Sequence, residues 1–272
     1  MLELAAAKLG LKVQPVKATL SALYVLAIAL SILRWFTSIA APLWLDETST
    51  YWKISAGPSQ IWARQGALFP AYDYILWAWS RVFGIAEVTL RIPSILAMLA
   101  AAVALFQIAR LFFDRNAALF ATVSFCLNPI VRNEACDARA YAFAVFDLLL
   151  CILMLLQWTR TNQFRYAVWL GLFSAGLFYF HYLFGLMTLP LAILLALRAK
   201  PFDAGAFRRQ LLITGLVFSL MMIPIVPGII DLFHVGREIA FAPKPSVLQI
   251  IGVFDAVRFP IFLLLFFLFA AG

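Results

Sequence analysis

Residues 19–52 read TLSALYVLAIALSILRWFTSIAAPLWLDETSTYW: a long apolar run, then two adjacent carboxylates, Asp46 and Glu47. A helix crosses the hydrocarbon core with about 20 apolar residues, and Thr19 to Ala40 supplies such a run. Its one charge, Arg34, lies near the outer end, where a long side chain can snorkel to the headgroups. An acid at the bilayer centre costs about 2.5–3.5 kcal/mol on insertion scales, so Asp46 and Glu47 mark the water boundary. This stretch decides the class: a helical membrane protein with charge gathered where the chain leaves lipid.

The rest of the chain agrees. Of its 272 residues, 65% are hydrophobic and only 12% are charged, against about a quarter in soluble domains. The net charge of +8 does not point to nucleic acid, because the basic residues are scattered between apolar runs and form no basic face. The three cysteines are odd in number, and Cys126 and Cys151 sit inside apolar runs, so no disulfide framework or metal spacing follows. The basic start, MLELAAAKLGLKVQPVKATL, leads into a long apolar run without a small-residue cleavage site, which reads as a retained anchor.

Further spans are expected at Ile92–Ala109, at Ala117–Val131 (ending near Asn128 and Pro129), at Ala140–Trp158 with Asp147 inside it, and at Leu211–Ile230, kinked by Pro224 and Pro227. Tyr166–Leu197 carries no Lys, Arg, Asp or Glu and would make roughly 48 Å of helix, so it divides in two near His181. After Pro260 the closing stretch is roughly 18 Å of helix, short of a ~30 Å core; the sequence is expected to stop inside a helix of a longer protein.

Between Pro42 and Leu90 the chain is aromatic but interrupted, and its apolar piece Tyr74–Trp79 is too short to span. It reads as an interfacial helix with Trp77 and Trp79 at headgroup level. With the N-terminus in the cytoplasm, Lys8, Lys12, Lys17, Arg110, Arg115, Arg160, Arg165, Arg198, Lys200, Arg208 and Arg209 fall in internal loops, as the positive-inside rule requires. The acids Asp46, Glu47, Asp73, Glu87, Glu134, Asp137 and Glu238 fall outside. The expected architecture is all-α and polytopic: a single transmembrane domain over 1–272, a long first external loop (42–90) carrying interfacial helices, and a second external loop (131–139).

Several residues in these loops suit chemistry, each with a structural alternative. Asp46 either caps the helix that follows or acts on a substrate. Neighbours on a helix point about 100° apart, so Asp46 and Glu47 are expected to have different tasks, one acting and the other orienting the loop. Arg139 can pair bidentately with a phosphate or fix its own loop by pairing with Asp137 or Glu134. His181 and Tyr182, at the outer hairpin, are either packing residues or part of the same face. Asp147, mid-span, is a functional candidate by default, with a hydrogen bond to a neighbouring helix as the preferred reading. Asp255 and Arg258 form a further possible pair near the end of the sequence.

In this order the pieces resemble the bacterial dolichyl-phosphate-mannose protein mannosyltransferase-like glycosyltransferases of GT-C fold. That family places an acidic DE pair after helix 1, as WLDETSTYW does here. An interfacial aromatic stretch of the type PPLYYLLLHLW follows, here LFPAYDYILWAWSRVFG with a lone Pro70. LRIPS (Leu90–Ser94) is similar to the family's LRLPS. CDARAYA (Cys136–Ala142) is similar to QEARMYA, with Asp137 in place of Glu and with Arg139 and Tyr141 matching. FHYLF around His181 is similar to THYF. The resemblance spans roughly Ala41 to Pro190.

The resemblance implies inverting transfer of a sugar from a polyprenyl-phosphate donor to an acceptor hydroxyl of a protein, lipid or polysaccharide. It also implies a bacterial inner or plasma membrane location and an extracytoplasmic active site. Asp46 is then the expected base, with Glu47 beside it as a second catalytic-site carboxylate. Arg139 is expected to hold the leaving phosphate, with Tyr141 and His181 as further donors and Asp137, Glu134 and Tyr182 in support. Members of the fold differ in metal use, so a divalent cation on Asp46 and Asp137 stays open. Two rivals stay open as well: a transporter or flippase of a lipid-linked precursor, and an inactive membrane fragment with a binding or structural role.

Overall fold

Long uncharged runs favour helices because lipid leaves every backbone N–H and C=O to be satisfied within the segment. The computed structural model describes residues 13–65, 70–198 and 204–230, and those up to Ile229 belong to one compact unit. The acid Glu238, the Asp255/Arg258 pair and the stretch after Pro260 lie outside the described residues.

Among the described residues every regular element is helical. Helix α1 (Val13–Trp35) runs into a short 3-10 turn, Phe36–Ser38. Three short helices follow: α2 (Leu45–Ser55), α3 (Pro58–Gln65) and α4 (Pro70–Phe83). Then come α5 (Glu87–Arg110), α6 (Arg115–Leu127), α7 (Pro129–Ala135), α8 (Tyr141–Thr161) and α9 (Phe164–Phe180). The last are α10 (Tyr182–Gly185), α11 (Thr188–Arg198) and α12 (Ala204–Met222), the latter followed by a 3-10 turn at Ile223–Ile225. Among the described residues four segments are long and apolar enough to cross a membrane: Ala18–Ser38, Glu87–Arg110, Tyr141–Thr161 and Gly205–Ile230. The protein is a polytopic helical membrane protein.

The breaks follow local chemistry. His181 leaves the helical region (φ −163, ψ 119) and divides the long apolar run where expected. Pro224 sits in the 3-10 turn that ends α12, since it lacks the N–H an α-helix would use. The expected span Ala117–Val131 is not continuous. Helix α6 stops at Leu127, Asn128 turns extended (ψ 125), and its side chain accepts the N–H of Ile130 at 2.9 Å to start α7. Pro129 is the cause, because a residue before proline is pushed out of the helical region. Helix α4 extends beyond Tyr74–Trp79, yet at 14 residues it is only about 21 Å long.

Two apolar clusters knit the long helices. Trp35 of α1, Ile95, Met98 and Ala101 of α5, Cys126 of α6 and Ala142 of α8 form one. Cys151, Leu155 and Trp158 of α8 with Leu170 and Leu177 of α9 form the core of the other. Polar bonds reinforce both. Trp35 Nε1 donates to the Cys126 carbonyl at 3.2 Å, and Cys136 Sγ donates to the Trp35 carbonyl. Trp158 Nε1 donates to Gln210 Oε1 at 2.5 Å, and Thr214 Oγ1 to the Ala167 carbonyl at 2.9 Å. Among the described residues Asp147 does not make the expected interhelical hydrogen bond. Its Oδ2 is buried with no hydrogen-bond partner among them, because the facing residue of α9 is Gly176, whose absent Cβ would stand 2.6 Å from that oxygen.

Helices α9 and α12 approach through small residues, as membrane helices do when backbones come close. A Cβ on Gly171 would lie 2.6 Å from the Thr214 carbonyl oxygen, whereas one on Gly215 meets nothing within 4 Å. Gly171→Ala is therefore expected to destabilise the protein by about 1–3 kcal/mol and Gly215→Ala to be neutral, read as thermal unfolding in detergent.

Candidate functional site

The C-terminal end of α1, the N-terminal ends of α5 and α8, the C-terminal end of α9 and the short helices α2, α4 and α7 meet at one end of the bundle. A third cluster, with Ile54, Tyr72, Leu76 and Leu90 buried, seals it. Here the two acidic neighbours of the first loop part company.

Helix α2 begins at Leu45, after an extended Trp44 (φ −81, ψ 174), so Asp46 is in the first turn and is not its cap. Glu47 closes the turn, with Oε2 accepting the Trp44 N–H at 3.2 Å. Glu47 is fully buried. Arg91 Nε donates to Oε1 at 2.8 Å and Nη2 to Oε2 at 2.5 Å, while the N–H of Ala138 donates to Oε1 at 2.8 Å. All of its roughly four acceptor positions are filled. Arg91 spends its other donors on backbone carbonyls of the exit from α1: Ile39 at 2.8 Å, Ala41 at 2.5 Å and Pro42 at 3.2 Å. Burial pushes the Glu47 carboxyl up, but Arg91 and the N–H groups of Ala138 and Trp44 outweigh it and hold it below the usual carboxylate range.

Asp46 points the other way. Its side chain is 45% exposed and its Oδ2 lies 3.7 Å from Arg139 Nη2, while Arg139 Nη1 donates to the Asp46 carbonyl at 3.2 Å. Among the described residues Arg139 ion-pairs with this residue and not with Glu134 or Asp137. Its guanidinium stands 5.9 Å over the Tyr141 ring. That ring lies 5.0 Å from His181, which in turn stacks on Tyr182 at 5.4 Å. Burial, with Arg139 adding to it, holds the His181 imidazole below its usual range. Glu134 lies on α7, its Oε2 buried without a hydrogen-bond partner among the described residues, and burial raises its carboxyl against the pull of Arg139. Asp137 accepts the indole N–H of Trp44 at 3.0 Å. Burial pushes its carboxyl up to about 7, Trp44 pulls it back, and the Glu47 carboxylate adds to the rise.

Two voids meet at this end. A recess of about 70 Å³ is lined by Thr50, Lys53, Asp73, Arg139, Tyr141 and His181, among others. Lys53 and Arg139 are its cations, with Lys53 Nζ 3.9 Å from Asp73 Oδ2. Beside it a groove of about 490 Å³ runs between α4, α5, α8 and α9, walled by apolar side chains such as Trp79, Leu96, Phe146 and Phe173, with Asp147 as its acid. Phe180 lines both. Among the described residues no three His, Cys, Asp or Glu side chains converge as metal ligands, and Asp46 and Asp137 are engaged with Arg139 and Trp44.

Sequence reasoning missed Arg91, Lys53 and Trp44. Lys53 was findable: Asp46, Thr50 and Lys53 recur at helical spacing on one face of α2. Arg91 reads in sequence as a span boundary, and nothing in the string reveals that it turns inward.

A family profile described as Dolichyl-phosphate-mannose-protein mannosyltransferase matches residues 67–227, more than half of the chain. No curated protein and no solved structure matches.

Two predictions follow from the charges. Glu47→Gln strands Arg91 in a dry site and is expected to cost about 3–5 kcal/mol, and Glu47→Leu combined with Arg91→Met should remain destabilised, because it leaves the N–H of Ala138 and Trp44 without their acceptor; thermal unfolding in detergent reads both. Asp137 holds its proton more tightly when folded, so its contribution is full at acid pH and is lost as pH rises through about 7. Stability should therefore decline between about pH 4 and pH 7, and Asp137→Asn should flatten that decline. Glu47 acts in the opposite sense, losing its contribution only as pH falls below the usual carboxylate range.

Proposed function

The chain belongs to the dolichyl-phosphate-mannose-protein mannosyltransferase family, and on that premise we propose that it moves a sugar, with inversion, from a polyprenyl-phosphate donor to an acceptor hydroxyl at the extracytoplasmic face. It is an integral membrane protein and a mannosyltransferase-like glycosyltransferase. The donor assignment draws its support from one juxtaposition: a recess with two cations, Lys53 and Arg139, shares Phe180 with an apolar groove. An amphiphile with an anionic head and a hydrocarbon tail matches that pair of voids.

In this reading the phosphate sits between Lys53 and Arg139, and the prenyl chain leaves along the groove. The acceptor oxygen attacks the anomeric carbon on the face opposite the phosphate. Asp46 takes the hydroxyl proton; it is exposed and beside Arg139, as a base that must reach both acceptor and donor requires. The bond from the anomeric carbon to the phosphate oxygen breaks, its electron pair stays on phosphate, and the fixed guanidinium stabilises the charge that builds there. Tyr141 and His181 border the same oxygens. Glu47 is a positioning group, since its oxygens are already taken. Asp137, Glu134 and Tyr182 shape the surround. A flippase would need charge along a path through the bilayer, and the groove is mainly apolar.

Asp46→Asn is expected to reduce transfer from dolichyl-phosphate-mannose by about 10²–10⁴-fold, with insertion and unfolding temperature unchanged. Arg139→Lys should weaken transfer, because a point charge replaces a planar fork. Product mass spectrometry on washed membranes reads both, and undiminished transfer by Asp46→Asn would remove that residue from the chemistry.

A further inference from the structure

Asp147 has no part in the steps above, and a prenyl chain carries no polar group to meet it. Helix α8 sets it at the centre of one face: Phe143, Phe146, Asp147 and Leu150 recur at helical spacing and all line the apolar groove. The residue is 4% exposed, and its Oδ2 is buried with no hydrogen-bond partner among the described residues. Helix α9 answers with Phe173, Gly176 and Phe180, again at helical spacing. A Cβ on Gly176 would lie 2.6 Å from that oxygen, so the glycine keeps open the space the carboxyl needs. A buried polar atom left without a partner costs free energy that the fold does not recover, and an ionisable group at this depth marks a function by default.

We propose that the groove between α4, α5, α8 and α9 is a binding site for a lipophilic amine, whose nitrogen pairs with Asp147 and whose hydrocarbon lies along the apolar walls. The other lining residues favour a cation. Of the twelve that line the groove, five are aromatic (Trp79, Phe143, Phe146, Phe173 and Phe180) and none is basic. Ring faces attract ammonium groups, Trp most strongly. The indole N–H of Trp79 is already spent on the Thr89 carbonyl at 2.8 Å, which Pro93, lacking an N–H, leaves open; Trp79 therefore has only its ring to offer a ligand. An amine supplies what the carboxyl lacks whichever partner holds the proton, since ammonium donates to carboxylate and acid O–H donates to amine nitrogen. A fatty alcohol meets the carboxyl but gains nothing from the rings. The volume of about 490 Å³ suits a drug-sized molecule, whose sites run from about 300 to 1,000 Å³. Asp147 follows Tyr141 by six residues on α8, about 9 Å along the axis, so the amine takes the place assigned to the prenyl chain and not that of the phosphate.

Native mass spectrometry of the full chain ejected from nanodiscs of zwitterionic lipid counts bound N,N-dimethyldodecylamine, with 1-dodecanol as the neutral counterpart. One amine per chain is expected at concentrations where the alcohol does not bind, a contrast read on the wild type that needs no variant to fold. Asp147→Asn should raise the half-saturating amine concentration about tenfold, and Phe146→Leu should raise it less. In transfer from dolichyl-phosphate-mannose the amine should raise the donor KM with kcat unchanged, and Asp147→Asn should relieve that inhibition; this arm alone rests on the prenyl chain lying in the groove. Equal binding of amine and alcohol by the wild type, or amine binding untouched by Asp147→Asn, overturns the proposal. Asp147-dependent amine binding without inhibition supports the site while counting against the donor's chain in the groove, so the two failures are told apart.

Discussion

The buried pair of Glu47 and Arg91 is the constraint on which the rest of this end of the molecule depends. A carboxylate and a guanidinium removed from water are costly unless every remaining donor and acceptor is satisfied. Here that requirement recruits the surrounding backbone: carbonyls from the exit of α1, the N–H of Trp44 and the N–H of Ala138. A hydrophobic pair of the same volume would leave those backbone groups without partners and would not supply the directions of this arrangement. The ion pair fixes four chain segments against one another, and the second loop is held to the first turn of α2 as a result. Asp46, one residue before Glu47, and Arg139, one residue after Ala138, are brought to 3.7 Å by anchors that touch neither side chain.

Helical geometry then sorts the first loop by function. Glu47 and Ile54 point into the protein, whereas Asp46, Thr50 and Lys53 face the second loop and the recess. One face of α2 holds the fold and the other borders the recess and the second loop. The same division recurs at the end of α8. Ala142 packs into the core, and Tyr141 turns its ring to His181 and Arg139. The recess with its charged side chains and the mainly apolar groove share Phe180, the groove running from that end along α5, α8 and α9.

Part of this was legible in the string of residues. The apolar runs, the break at His181 and the turn after Met222 follow from composition and from proline's missing donor, both local properties. Two adjacent carboxylates at the end of the first run were visible as a site candidate, and the order of short motifs carried the resemblance. Pro129 announced a break, but the capping of α7 by Asn128 turned one expected span into two helices. Asp147 shows the limit of such reading, because an expected hydrogen bond depends on what the facing helix presents, and Gly176 presents no side chain.

By itself, the sequence determined that this is a multi-helix membrane protein with several acids and a candidate arginine in two of its loops, since transfer energies act on each residue wherever it lies in the fold. Only the tertiary structure decided which of two adjacent acids is exposed, that Arg91 is a buried hub, and that Lys53 joins Arg139. Those outcomes depend on which groups from distant segments meet in a place without water. Charge pairing there is set by three-dimensional proximity, which residue order does not encode one position at a time.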